Sequence, residues 1–98
     1  MCPVVVTYRA AREISDAAEW WRANRPAAAG LLPVELERAF QLLGARPEIG
    51  ARATNSRLAG VRRVLLSRIR YHLYYRVRGY VIEILALWHV SRRTGPSV

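Results

Sequence analysis

The chain contains no lysine, so all sixteen of its Lys/Arg-type cations are arginine. A guanidinium fork grips phosphates and carboxylates bidentately and keeps its proton near neutral pH, so these residues can clamp or stabilise charge but cannot act as a general base. Acids are nearly missing from the second half. Residues 1–49 hold six arginines against six acids, whereas residues 50–98 hold ten arginines against Glu83 alone, which places the whole net charge of +9 there. The C-terminal half is therefore expected to meet an anionic partner. Cys2 is the one cysteine, which excludes an internal disulfide and any CxxC metal site, and no metal or cofactor is expected. Long apolar runs are also missing. The longest uncharged stretch, Pro26 to Val34, contains two prolines and is far too short to cross a bilayer, so no membrane role is expected. The opening Met-Cys-Pro-Val-Val-Val has no basic segment ahead of its apolar run, so a secretion signal is not expected and the cytoplasm is the expected compartment.

What is present fits one small domain spanning residues 1–98, with 52% apolar and 23% charged residues. Pro3 to Tyr8 is a β-branched run and reads as a short strand. From Ala10 to Asn24 the apolar positions Ala10, Ile14, Ala17, Ala18 and Trp21 recur at helical spacing, with charged residues between them. Arg25-Pro26 ends that helix, since the residue before proline is pushed out of the α region. Pro26 suits the first position of a second helix, expected to begin there and to run to about Ala45 with the stripe Leu32, Leu36, Ala39, Phe40 and Leu43, although Pro33 predicts a kink or a late start. Arg46 to Gly50 is a breaker cluster, and Ala51 to Gly60 has no period and is expected to be loop.

The final third reads as three strands, Val61 to Ser67, Arg70 to Val77 and Tyr80 to Val90. Arg78-Gly79 is the expected two-residue hairpin turn between the last two. That turn sets Tyr74 against Glu83 and His72 against Leu85, and strict alternation then sorts the hairpin into two faces. Ile69, Tyr71, Leu73, Tyr75, Val77, Tyr80, Ile82, Ile84, Ala86 and Trp88 would form the core beneath the helices. Arg68, Arg70, His72, Tyr74, Arg76, Glu83 and His89 would share the other face, the expected working surface.

The order strand, helix, helix, three strands, with "RPEIG" after the second helix, "LAGVRRVLL", "YHLYYRV" and the closing "VIEILALWHVSRR", resembles the RelE/ParE family of bacterial toxins over nearly the whole chain. The resemblance implies an α+β fold: an N-terminal strand and a helical hairpin, followed by a three-stranded antiparallel sheet. It also implies the toxin of a type II toxin–antitoxin pair, in a hetero-oligomer with a cognate antitoxin. RelE-like members cut mRNA in the ribosome, whereas ParE-like members poison DNA gyrase.

Cutting RNA needs a base for the 2′-hydroxyl, a cation for the phosphorane and an acid for the leaving oxygen. His89, ahead of Ser91, Arg92 and Arg93, matches the histidine that several nuclease members carry at the end of the last strand. His72 stands where nuclease members usually keep a transition-state arginine, with Arg70 and Arg76 as the candidate substitutes. No carboxylate lies between Gly50 and Ile82, and a structural ion pair is the expected role of Glu83. This incomplete set favours a ParE-like binding toxin without chemistry of its own. In that reading Arg62, Arg63, Arg68, Arg76, Arg92 and Arg93 would contact gyrase or the antitoxin, the latter an acidic segment that folds on the basic surface. The alternative is ribosome-dependent mRNA cleavage in which His89, His72 and Arg70 carry the catalysis. A plain nucleic-acid-binding domain ranks last, because Tyr71, Tyr75 and Tyr80 are assigned to the core face and leave Tyr74 alone for stacking.

Overall fold

A computed structural model describes residues 1–54, 56–92 and 94–98. Strand β1 (Val4–Val6) is short because Thr7 turns the chain into a helix at once. The Thr7 side-chain oxygen caps helix α1 (Tyr8–Asn24) by accepting from the Ala10 N–H, and its hydroxyl donates to the Ile84 carbonyl at 2.8 Å. One residue thus ties the first strand, the first helix and the last strand. Helix α1 buries Ala10, Ala17 and Trp21, the stripe expected of it. Arg25 leaves the helical region, Pro26–Ala28 forms a 3-10 turn, and helix α2 (Leu31–Ala45) starts late. Pro33 falls in the first turn of α2, where its missing N–H removes no helical hydrogen bond. Leu32, Leu36, Ala39 and Leu43 face the core from this helix.

The sheet has five strands in the order β1-β5-β4-β3-β2, and not the three expected. Strands β3 (Arg62–Leu66), β4 (Tyr71–Arg78) and β5 (Val81–His89) form the antiparallel centre. Strand β1 adds to β5 in parallel, with Val4 opposite Ile82, which makes the sheet mixed. Within the segment expected to be loop, β2 (Ala51–Arg52) pairs with Arg63 and Arg62 on the other edge. A two-residue strand carries no period, so its pairing leaves no trace in the pattern.

The β4–β5 register also departs from expectation. Arg78 pairs with Val81, so the turn is Gly79-Tyr80, with Gly79 at φ +59°. A glycine with positive φ in the first central position is the requirement of a type II′ hairpin turn. Arg76 therefore sits opposite Glu83, while Tyr80 projects from the turn and Val77 is exposed. Farther along, Tyr75 pairs with Ile84 but Tyr74 pairs with Ala86, which leaves Leu85 as an extra residue. Beyond this bulge the faces of β5 exchange. Ala86 and Trp88 move to the open face, where Val61, Tyr74, Leu85 and Ala86 form a second small apolar cluster. Leu87 joins the main core under the helices, and His89 follows it to that side.

Tyr75 is fully buried in the main core, yet its hydroxyl is satisfied. It accepts from the Gly50 N–H and donates to the Pro47 carbonyl, both at 2.8 Å, which pins the "RPEIG" segment to the sheet. Burial pushes this hydroxyl above its ordinary pKa, tempered by the Gly50 N–H and by the Arg62 charge, so it remains a donor. A Cβ at Gly50 would stand 2.7 Å from the Tyr75 oxygen and 2.9 Å from the Arg63 carbonyl, so this site requires glycine. Removing the hydroxyl with Tyr75→Phe strands a buried donor and an acceptor, and is expected to cost about 1–3 kcal/mol. Urea unfolding checks this, and Gly50→Ala should also destabilise the protein.

Candidate functional site

The arginines of the second half divide into those that hold the fold together and those that remain available. Arg62 donates to the Glu48 and Gly50 carbonyls, at 3.2 and 2.8 Å, and so braces the segment that Tyr75 anchors. Arg76 donates to Glu83 at 2.7 Å, and Arg78 stands 3.7 Å from the same carboxylate, so Glu83 has the ion-pair role expected of it. Both Arg76 and Glu83 are about four-fifths buried, so this pair is screened less than a surface one. Arg68 reaches Glu35, a buried acid of α2, at 3.6 Å. Arg93 lies outside the described residues.

The two histidines lie on opposite faces of the sheet. His72 pairs with Trp88 on the open face, edge-on to Tyr74 and near Arg63. Burial, and then the Arg63 charge, hold its pKa below the ordinary value. His89 pairs with Tyr71 on the helix side, with ring centroids 5.1 Å apart at 87°. The Ser91 N–H donates to His89 Nδ1 at 3.1 Å, and the Ser91 hydroxyl lies 2.7 Å from the same nitrogen. A backbone N–H can only donate, so Nδ1 is the acceptor and the neutral ring carries its proton on Nε2. The single working surface expected from strict alternation is therefore not formed. The bulge at Leu85 separates His89 from His72, Tyr74 and Arg76.

His89 instead opens onto a groove of about 700 Å³ between α1, the β3–β4 turn and the end of β5. Arg68, Arg70 and Arg92 reach the same groove from the sheet side. Arg70 adopts φ +65°, the left-handed region that disfavours any residue with a Cβ. Its backbone is fixed there, with its N–H bonded to the Leu66 carbonyl at 2.8 Å and its carbonyl to the Val90 N–H at 3.0 Å. Arg92 lies 4.1 Å from the centre of the Trp88 ring. The far wall comes from α1 and its C-cap, which the sequence does not point to: Glu13, Asp16, Trp20 and Arg25 all line it. Glu13 is occupied, accepting from the Leu87 N–H at 3.0 Å and pairing with Arg9 at 3.4 Å. Trp20 is half exposed and meets Trp21 edge-on at 5.9 Å. In sequence these four read as the solvated face and flank of an amphipathic helix, and only the packing angle of α1 turns them toward His89.

A helical hairpin on a mixed five-stranded sheet, with arginine concentrated on the sheet and its turns, defines a small basic α+β protein. The family model for the ParE toxin of type II toxin–antitoxin systems, parDE, matches residues 4–94, and the chain belongs to that family. Among solved structures it is similar in fold to a chain of the chromosomal ParDE toxin–antitoxin system from P. aeruginosa, with a TM-score of 0.76 and 23% identity. The match covers 93% of this chain and 98% of that one. No curated protein matches the chain. No helix among the described residues is long and apolar enough to cross a membrane.

The depressed pKa of His72 has a consequence for stability. The unfolded state binds the proton first as pH falls, so stability should be full above the ordinary value near 6.5 and should decline as pH drops toward the lower folded value. Thermal melts across that window should show the decline in the native protein, and His72→Gln should flatten it.

Proposed function

We propose that this toxin inhibits DNA gyrase by binding it, without bond-breaking chemistry of its own, and that a cognate antitoxin neutralises it in a hetero-oligomer. The observation that carries this reading, beside membership of the ParE family, is the dispersal of the nuclease set. His72 and His89 occupy opposite faces of the sheet, and Arg76 is held by Glu83. A proton relay needs its acid and base within hydrogen-bond reach of one substrate, and this arrangement separates them. Arg63, Arg68 and Arg92 are exposed and within reach of a target or antitoxin, Arg68 beside its contact with Glu35 and Arg92 beside its stacking on Trp88, whereas Arg62 and Arg76 act in the framework. The proposed site of action is the cytoplasm, where gyrase works.

One observation favours the second reading, ribosome-dependent mRNA cleavage: His89 shares its groove with Arg70 and Arg92. A supercoiling assay separates the two. The purified toxin is expected to block gyrase, and its antitoxin to restore activity. The His72→Ala/His89→Ala double variant should retain potency within about fivefold, as for side chains outside an interface hot spot. A folded double variant that no longer inhibits growth would refute the binding reading and direct attention to mRNA.

The antitoxin segment is expected to be acidic, because ten arginines face one acid in residues 50–98. Its affinity should fall steeply between low and physiological salt. A dissociation constant unchanged by salt, read by fluorescence anisotropy, would mean that apolar contact governs the complex.

A further inference from the structure

The groove beside His89 contains more than a basic patch requires. Arg25, Arg68, Arg70 and Arg92 line it from three separate parts of the chain, with the Arg68 guanidinium also contacting Glu35 and that of Arg92 stacked on Trp88. Among the described residues, neither Arg25 nor Arg70 has an ion-pair partner, and Arg70 is held at φ +65° where glycine would be less strained. Retaining an arginine at that backbone position suits a use for its side chain. Trp20 adds a half-exposed indole to the wall. Asp16 contributes an exposed carboxylate, while the second acid of the groove, Glu13, is already engaged by the Leu87 N–H and Arg9. His89, with Nδ1 taken by Ser91, offers its Nε2–H as a further donor.

We propose that this groove binds a ribonucleotide, and holds it without cleaving it. Each part of such a ligand has a counterpart in the groove. The phosphates match the arginine forks, which bind phosphate oxygens in pairs. The base matches the Trp20 face, since stacking on an aromatic ring is a sequence-tolerant way to hold any base. The ribose hydroxyls match Asp16, because a carboxylate accepts from a sugar diol, as in dinucleotide sites. A volume of about 700 Å³ is in the range of small-ligand clefts. The same chemistry is presented by a free nucleoside triphosphate and by a nucleotide within a single RNA strand. The inference does not depend on gyrase as the target, since supercoiling inhibition and nucleotide binding are measured separately.

The test is calorimetric titration of the full chain at about 150 mM salt, where electrostatic attraction beyond about 8 Å is screened. The probes are ATP, dATP, inorganic triphosphate and a short single-stranded RNA. Saturable binding of ATP or of the RNA is expected, with dATP and inorganic triphosphate weaker than ATP if the free nucleotide is the ligand. Arg70→Gly should weaken the bound probe by at least about tenfold, the value of a charged hydrogen bond, with an unfolding midpoint equal to or above that of the native protein. Trp20→Ala should weaken ATP or RNA but leave inorganic triphosphate unchanged. Binding of RNA without ATP would assign the site to a strand; ATP binding would assign it to the free nucleotide. The proposal is overturned if neither saturates, if ATP saturates but dATP or inorganic triphosphate binds as tightly, or if both variants bind like the native protein.

Discussion

One extra residue, Leu85, determines which surface each end of the last strand serves. Strict alternation would have kept Ile82, Ile84, Ala86 and Trp88 on one face, and His89 on the other. Because Leu85 is unpaired between Ile84 and Ala86, two neighbouring residues point to the open face and the order reverses beyond them. Leu87 then fills the core under the helices, where burying a leucine is worth about 1.5–3 kcal/mol, and Trp88 is left to the open face. The open face acquires an apolar centre around Tyr74 and Ala86 that the C-terminal residues help to cover. Trp88 donates to the Thr94 carbonyl at 2.6 Å, Val98 packs on the cluster, and the Arg57 N–H reaches the Val98 carbonyl at 2.6 Å. His89, on the other side, becomes a groove residue. The bulge thus produces both the second cluster and the candidate site.

The chain's dependence on arginine also explains how a half-protein with one acid can fold. Charges left close together repel, and the usual remedy is a carboxylate for each. Here backbone carbonyls take much of that role. Arg62 binds two of them, those of Glu48 and Gly50. Both bonds come from the one terminal nitrogen Nη1, whose two N–H groups reach two carbonyls on one short segment. Glu83 is shared by two arginines and Glu35 by two more, so the few acids available are used twice. What this economy leaves uncompensated lies at the surface, and any polyanion that binds there stabilises the folded state by mass action.

Helices and the middle strand were legible because burial forces a period. The stripes of α1 and α2, and the inward side of β4 at Tyr71, Leu73 and Tyr75, follow from spacing alone. The last strand was not legible to its end. Leu85 and Leu87 are both apolar, so either alternation looks acceptable in sequence, and nothing local announces a bulge. The hairpin turn was displaced by one residue because a glycine after Arg78 fits either position of a two-residue turn until its φ is known. The first strand was recognised, but its parallel pairing with β5 joins residues nearly eighty positions apart and has no local signature. The site failed for the same reason. Asp16 and Trp20 carry an ordinary helical pattern and Arg25 reads as the residue that ends it, and it is tertiary packing that brings them to Arg70 and His89.

The β3–β4 turn shows why such a site can hold a strained residue at all. A left-handed arginine costs roughly 1–2 kcal/mol and persists only where its surroundings fix it. At Arg70 they do: its N–H and its carbonyl are both bonded, Ile69 is buried beside it, and Arg68 ties the turn to Glu35 on α2. The turn is therefore anchored to β5 through Val90, to the helical hairpin through Glu35, and to the core through Ile69. Arg68 and Arg70 line the groove from a fixed backbone. A ligand that meets them loses less conformational entropy from the protein on binding, which is the condition under which several weak charged contacts add up to a specific one.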